Sequence, residues 1–212
     1  MMDKDTYLTL GGPCEGLFKA KGSKHCGYGF PVHSEAEVKG HLESLRKSHH
    51  AARHMAYAWT IGFTGNHFRS SDDGEPSNSA GPPILGVIRS NDLTNVMFAV
   101  VRYFGGVKLG VGGLIEAYRE GAVEALSNGQ IVERIRTQRV RVDFAYEHMG
   151  VVMGLLKREG LSPASTDFNL TCSLHVDVRL TRLEELKDAV AKTRVAEASE
   201  AVSYTHLTLP TI

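Results

Sequence analysis

The spacing of hydrophobic positions changes several times along the chain, and each change marks an element. "SKHCGYGFPV" (23–32) alternates in part and carries aromatic residues, which predicts a strand. In "SEAEVKGHLESLRKSHH", Val38, Leu42 and Leu45 recur at helical spacing. Ser34 stands at the N-cap position, and Glu37, three residues on, is its capping-box partner. "HMAYAWTIGF" (54–63) predicts a buried strand, and "GPPILGVIRSN" a short helix with proline tolerated in its first turn. "NVMFAVVRYFGG" (95–106), β-branched and aromatic throughout, is the clearest strand. "GLIEAYREGAVEALSNG" predicts a helix with Leu114, Ala117, Tyr118 and Ala122 on one face and Gly129 as its stop.

The pattern then changes character. "IVERIRTQRVRVDFAY" interleaves Arg134, Arg136, Arg139 and Arg141 with apolar residues, which predicts a strand with a basic face. A domain boundary is placed near residues 130–138. Beyond it the order is strand (140–146), helix (147–159), strand (164–171), strand (173–180) and helix (182–193). That order is a ferredoxin-like half-sandwich lacking only its last strand. The expected organisation is therefore α+β, with one domain over 15–130 and a second over 138–198. The closing string "VSYTHLTLPTI" breaks the composition abruptly, and residues 202–212 are read as a non-native tail.

Charge narrows the function classes. Across 212 residues, 24 Lys and Arg balance 24 Asp and Glu, so no global field attracts nucleic acid and a polyanion site must be a local patch. The start of the chain lacks the basic and apolar blocks of a signal peptide, and no apolar run is long enough to span a membrane. Three scattered cysteines, with no C-x-x-C spacing, favour a reducing cytoplasm over a disulfide framework.

Four places carry candidate chemistry. In "RSSDDGEPSNSAGPP" (69–83), Asp72, Asp73 and Glu75 offer hard oxygen ligands, but the spacing is not that of a calcium loop. Asp-Gly followed by Glu-Pro is also strong turn chemistry, and the turn is the favoured reading. His50 and His54 lie four apart, yet Ala51 stands where a hydrolytic H-E-x-x-H site needs glutamate. Ser77 and Ser79 lack a G-x-S-x-G elbow. In "RYFGGVKLGVGGL", Gly105, Gly106, Gly110, Gly112 and Gly113 lie between a strand and a helix, with Lys108 among them. Such a loop suits either an anion or tight packing. The fourth place is the arginine run 134–141, read either as an RNA-facing patch or as arginines paired with surface carboxylates. No metal, cofactor or covalent catalysis is expected.

"SDDGEPSNSAGPPIL", "VVRYFGGVKLGVGGLIEAY" and "HHAARHMAYAWTIG" together resemble the signatures of the IMPACT family, in its bacterial YigZ branch. The resemblance covers roughly residues 15–195. The family pattern continues Asp-Asp-Gly-Glu-Pro with Ser or Ala and then Gly-Thr-Ala-Gly; here Asn78 and Ser79 replace the Gly-Thr. His25 stands where phenylalanine is usual, and Val111 where threonine is common.

The resemblance implies an N-terminal α+β sandwich like the second domain of a small-subunit ribosomal protein, followed by a ferredoxin-like domain. This pair resembles two consecutive domains of elongation factor G. Eukaryotic relatives restrain a starvation-response kinase by binding its activator, through a further N-terminal domain that has no counterpart in this sequence. The expected function is a cytoplasmic, non-catalytic binding protein linked to translation through RNA, the ribosome or a translation factor. The alternative is an enzyme or sensor for a small phosphorylated ligand cradled by the glycine loop. Arg102 and Lys108 are expected to balance the acidic loop as exposed charges.

Overall fold

A computed structural model describes residues 5–168 and 171–201; the string 202–212 lies outside the described residues. Contacts divide the chain into two units, with breaks between Thr6 and Tyr7 and between Arg134 and Ile135.

The first unit is built on a five-stranded sheet. It contains β1 (Thr6–Leu10), β2 (Cys14–Ala20), β3 (Ser23–Pro31), α1 (Glu35–Ser48), β4 (His54–Ile61), β5 (His67–Ser71), α2 (Gly81–Ser90), β6 (Val96–Tyr103), α3 (Gly110–Ser127) and β7 (Ile131–Ile135). The sheet order is β2-β3-β6-β4-β5, all neighbours antiparallel, and β1 pairs with β7 apart from it. Strand alternation sends Met97, Ala99 and Val101 of β6 toward α1, where they meet Val38, Leu45, Met55 and Trp59. Phe98 and Val100 point the other way, into a core with Ala56, Ala58, Ile84, Ile88, Leu114 and Tyr118. β6 is buried on both faces because helices cover both, which explains its unbroken apolar run. α3 lies so close to β3 that a Cβ on Gly27 would stand 1.9 Å from the Gly121 carbonyl oxygen.

Most predicted elements are present, with adjusted ends. The Ser34 hydroxyl accepts from the Glu37 amide at 3.2 Å, while the Glu37 carboxylate reaches back to the His33 amide at 3.0 Å. α3 starts at Gly110 rather than at Gly113, so the glycine-rich segment supplies its first turn. β5 begins inside what the sequence predicts as loop.

The second unit runs β8 (Thr137–Ala145), α4 (Met149–Arg158), β9 (Pro163–Phe168), β10 (Thr171–Arg179), α5 (Leu183–Thr193) and β11 (Ala196–Glu200). Its sheet order, β11-β8-β10-β9 with every pair antiparallel, is the ferredoxin-like arrangement. Val140, Val142, Phe144, Leu174 and Val176 fill the inner face against Val152, Leu156, Leu186 and Val190 of the two helices. The missing last strand is β11, registered Ala196 opposite Phe144. Asp5 belongs to this unit: it is 1% exposed, and its carboxylate accepts from the Thr181 amide at 3.1 Å.

The arginine run is not one strand. β7 ends at Ile135, Arg136 separates it from β8, and Arg134 falls in the first unit while the other three fall in the second. Arg139 and Arg141 do share a face of β8, as alternation requires. Arg139 makes two hydrogen bonds to Asp177, at 2.9 and 3.0 Å, and Arg141 one to Asp143 at 2.9 Å. The charge expected of this strand face is thus opposed by carboxylates of the same sheet.

Candidate functional site

The acidic loop between β5 and α2 is a turn whose three carboxylates have three separate tasks. Asp72 caps α2. Its Oδ1 accepts from the Ala80 and Gly81 amides at 2.9 and 2.8 Å, and its Oδ2 from Asn78 at 2.8 Å. The Ala80 and Gly81 amides are among those a helix start leaves unpaired, and the negative charge suits the positive end of the helix. Asp73 has φ +49° and Gly74 +84°, the left-handed pair that reverses the chain. Its carboxylate takes the Arg46 guanidinium and the Met55 amide, both at 2.6 Å. Asn78, standing where the family pattern has glycine, has φ +62°, a conformation that asparagine tolerates well.

Glu75 turns inward. Its Oε1 accepts from Arg102 Nη1 and from the Tyr118 hydroxyl, both at 2.7 Å. The side chains of Arg102 and Glu75 are only 9% and 5% exposed. The exposed pairing with the acids is therefore corrected for Arg102, which forms a buried pair with Glu75, while Lys108 is exposed. Burial favours the neutral phenol of Tyr118, and the Glu75 charge beside it adds to the effect, so its pKa lies far above the ordinary 10.0. His25 lies against Tyr118, with ring centroids 5.3 Å apart. It is fully buried and neither ring nitrogen has a hydrogen-bond partner. Burial and then the Arg102 charge press its pKa down to about 4, against the opposing pull of Glu75.

The glycine segment divides into two parts. A Cβ on Gly105 would sit 1.9 Å from the Gly22 carbonyl carbon, so this glycine permits a backbone contact with the β2–β3 turn. Gly106 and Gly110 have φ of +90° and +74°. Gly112 has open space around its would-be Cβ, and Gly113 meets only the Leu109 side chain, at 3.1 Å. Packing thus accounts for Gly105 and leaves Gly112 unexplained.

These elements enclose a cleft of about 860 Å³. Glu75 and Arg102 border it from the sheet side, Arg53 and His54 from the start of β4, and Lys108 through Val111 from the start of α3. Phe104, 57% exposed, stands on its rim with the Arg102 guanidinium carbon 5.6 Å from the ring centroid. Val107 and Val111 are also more than half exposed. Against the one carboxylate of Glu75 the cleft sets Arg53, Arg102 and Lys108. The buried Arg102 Nε has no hydrogen-bond partner, and the α3 N-terminus carries no side-chain cap. His54 is oriented by its Nδ1, 2.8 Å from the Asp73 carbonyl oxygen.

The structure brings together Glu75, Arg102, Lys108 and Gly110 of the predicted set. Asp72 and Asp73 shape the loop from behind, and Gly105 fixes the turn. Sequence reasoning missed Phe104 and Tyr118 as site residues and weighed His54 as a metal ligand beside His50. The signal for Phe104 was an aromatic residue just past the end of a buried strand. Among the described residues no group of three or more His, Cys, Asp or Glu side chains is placed to hold a metal, and His54 opens β4 rather than sharing a helix with His50.

Residues 21–126 match the family described as the Impact N-terminal domain. The chain is 36% identical over 126 residues to the IMPACT family member YvyE of Bacillus subtilis, a match spanning 59% of this chain and 58% of that protein. It is 41% identical over 131 residues to an IMPACT family member of Thermus thermophilus, covering 62% of this chain and 70% of the relative. With YigZ of Escherichia coli the identity is 29% over 156 residues, covering 73% and 76%. Among solved structures, the crystal structure of a hypothetical protein matches 97% of this chain and all of its own, with a TM-score of 0.71 at 24% identity, which shows a shared fold.

Proposed function

The chain belongs to the IMPACT family, and we propose that it acts as a non-catalytic binding protein in translation, taking a single-stranded segment of RNA in the cleft beside Glu75 and Arg102. The observation that carries this reading is the rim of that cleft: an exposed phenylalanine ring next to Arg53, Arg102 and Lys108. Unpaired bases stack on exposed aromatic rings, and phosphates collect on adjacent cations. The chain as a whole carries no net charge, so an anionic ligand is drawn to this local excess. The site comprises Arg53, His54, Arg102, Phe104 and Lys108, with Glu75, Gly105 and Gly106 holding its walls. Arg134, Arg136, Arg139 and Arg141 are assigned no contact in it. The reading places the protein in the cytoplasm, in keeping with its three scattered cysteines.

A second reading, a small phosphorylated ligand, is favoured by the volume, which falls in the range of roughly 300–1,000 Å³ usual for such sites. Fluorescence titration separates the two. RNA binding is expected to weaken steeply with salt and to weaken again in Phe104→Ala and Lys108→Gln. Binding of mononucleotides as tightly as oligonucleotides would move the site to the second reading.

A further inference from the structure

His54 is the one group in the cleft whose hydrogen-bonding sense is fixed by the backbone. The Asp73 carbonyl oxygen can only accept, so Nδ1, 2.8 Å away, carries the hydrogen and donates it. In the neutral ring this leaves Nε2 as an acceptor. Asp73 is itself held by Arg46 and by the Met55 amide, so the carbonyl that sets the tautomer does not wander. The charged neighbours of His54 around the cleft are Arg53, Arg102 and Lys108, with Glu75 engaged by Arg102 and Tyr118.

An acceptor surrounded by cations is a specific demand. Phosphate satisfies Arg53 and Lys108 but has no hydrogen to give an imidazole nitrogen. A base stacked on Phe104 satisfies the ring. Within a nucleotide, the ribose 2′-hydroxyl is a donor located between the stacked base and its phosphate. We propose that His54 Nε2 accepts a hydrogen bond from a ribose 2′-hydroxyl, and that the cleft thereby selects RNA over DNA. This rests on the reading of the cleft as a single-stranded nucleic-acid site and adds to it the means of discrimination.

The test uses the full chain and three single-stranded oligonucleotides of one sequence: RNA, DNA, and RNA with 2′-O-methyl groups, which retain the ribose but lose the donor. RNA is expected to bind about three- to tenfold more tightly than either of the others, the range of one net hydrogen bond. His54→Ala is expected to abolish the preference, bringing RNA affinity down to that of 2′-O-methyl RNA. Equal binding of RNA and 2′-O-methyl RNA by the unaltered protein overturns the proposal without any mutant having to fold. An RNA preference that survives in His54→Ala overturns it as well. Phe104→Ala and Lys108→Gln report on the underlying reading. If they weaken RNA and DNA alike while no ribose preference exists, only the His54 assignment falls. If neither affects any of the three ligands, the cleft is not the binding site and both claims fall together.

Discussion

Two arginine–carboxylate contacts of nearly equal length behave as different chemistry in the two units. In the N-terminal unit, Arg102 meets Glu75 at 2.7 Å with both side chains less than a tenth exposed. In the C-terminal unit, Arg139 meets Asp177 at 2.9 Å with the side chains 24% and 21% exposed. Water screens the second pair and solvates either partner if the other is lost. The first has no such recourse: its charges are compensated by each other and by Tyr118, and removing one leaves the rest buried and unsatisfied. Distance therefore says little about energetic weight here, and burial decides it. The same contrast separates the roles. The buried pair forms the wall of a cleft, while the partly buried pair neutralises a sheet face.

The sharpest way to break this comparison is Glu75→Ala, expected to lower stability by about 3–5 kcal/mol, read from the urea midpoint. Replacing both partners, with Glu75→Leu and Arg102→Met, should lose clearly less than Glu75→Ala alone. A double variant as unstable as the single one would show that the pair stabilises the fold outright. Next in size is Asp72→Ala. It removes the acceptor of two backbone amides at the start of α2 and of the Asn78 amide before it, and should lower stability by about 2 kcal/mol.

A third variant should act in the opposite direction. His25→Phe replaces a buried imidazole with two unpartnered nitrogens by a ring that needs none, and a gain of about 1 kcal/mol is expected in the same denaturation experiment. It should also alter the pH profile. The folded imidazole protonates at about 4, whereas the unfolded chain protonates near 6.5. Over that interval the unfolded state binds more protons, so stability falls as pH falls from about 6.5 to about 4. His25→Phe should flatten that slope; an unchanged slope would assign the acid sensitivity to other groups. The smallest effect is expected for Asp177→Ala, under about 1 kcal/mol, because Arg139 returns to water. A loss comparable to that of Glu75→Ala would abolish the distinction between the two pairs.

What the sequence disclosed follows the same division between local and distant causes. β6 and α3 were legible because each carries its own apolar period. The Ser34 cap and the turn chemistry of Asp72 to Glu75 were legible because capping acts within a few residues. β11 was not, because "AEASE" is small and polar, and the strand exists only by pairing with β8, more than fifty residues earlier. β5 was missed for a like reason: "HFRSS" has no buried face of its own. At the site, Glu75 reads as one acid among three until Arg102 and Tyr118, 27 and 43 residues on, close around it. No local pattern announces a contact of that span. His25 was seen only as a departure from the family pattern; its cost is visible once the ring is seen enclosed between Phe18 and Tyr118.

The tie between Asp5 and Thr181 has a consequence in time. Synthesis runs from the amino end, and the N-terminal unit, Tyr7 to Arg134, leaves the ribosome with all of its own sheet and helices before the second unit exists. Asp5 is made before its partner, which lies 176 positions later. Until Thr181 is made, the Asp5 carboxylate lacks that donor. The second unit is thus assembled from both sides of the first in the chain, and Asp5 meets its donor only once Thr181 has been made.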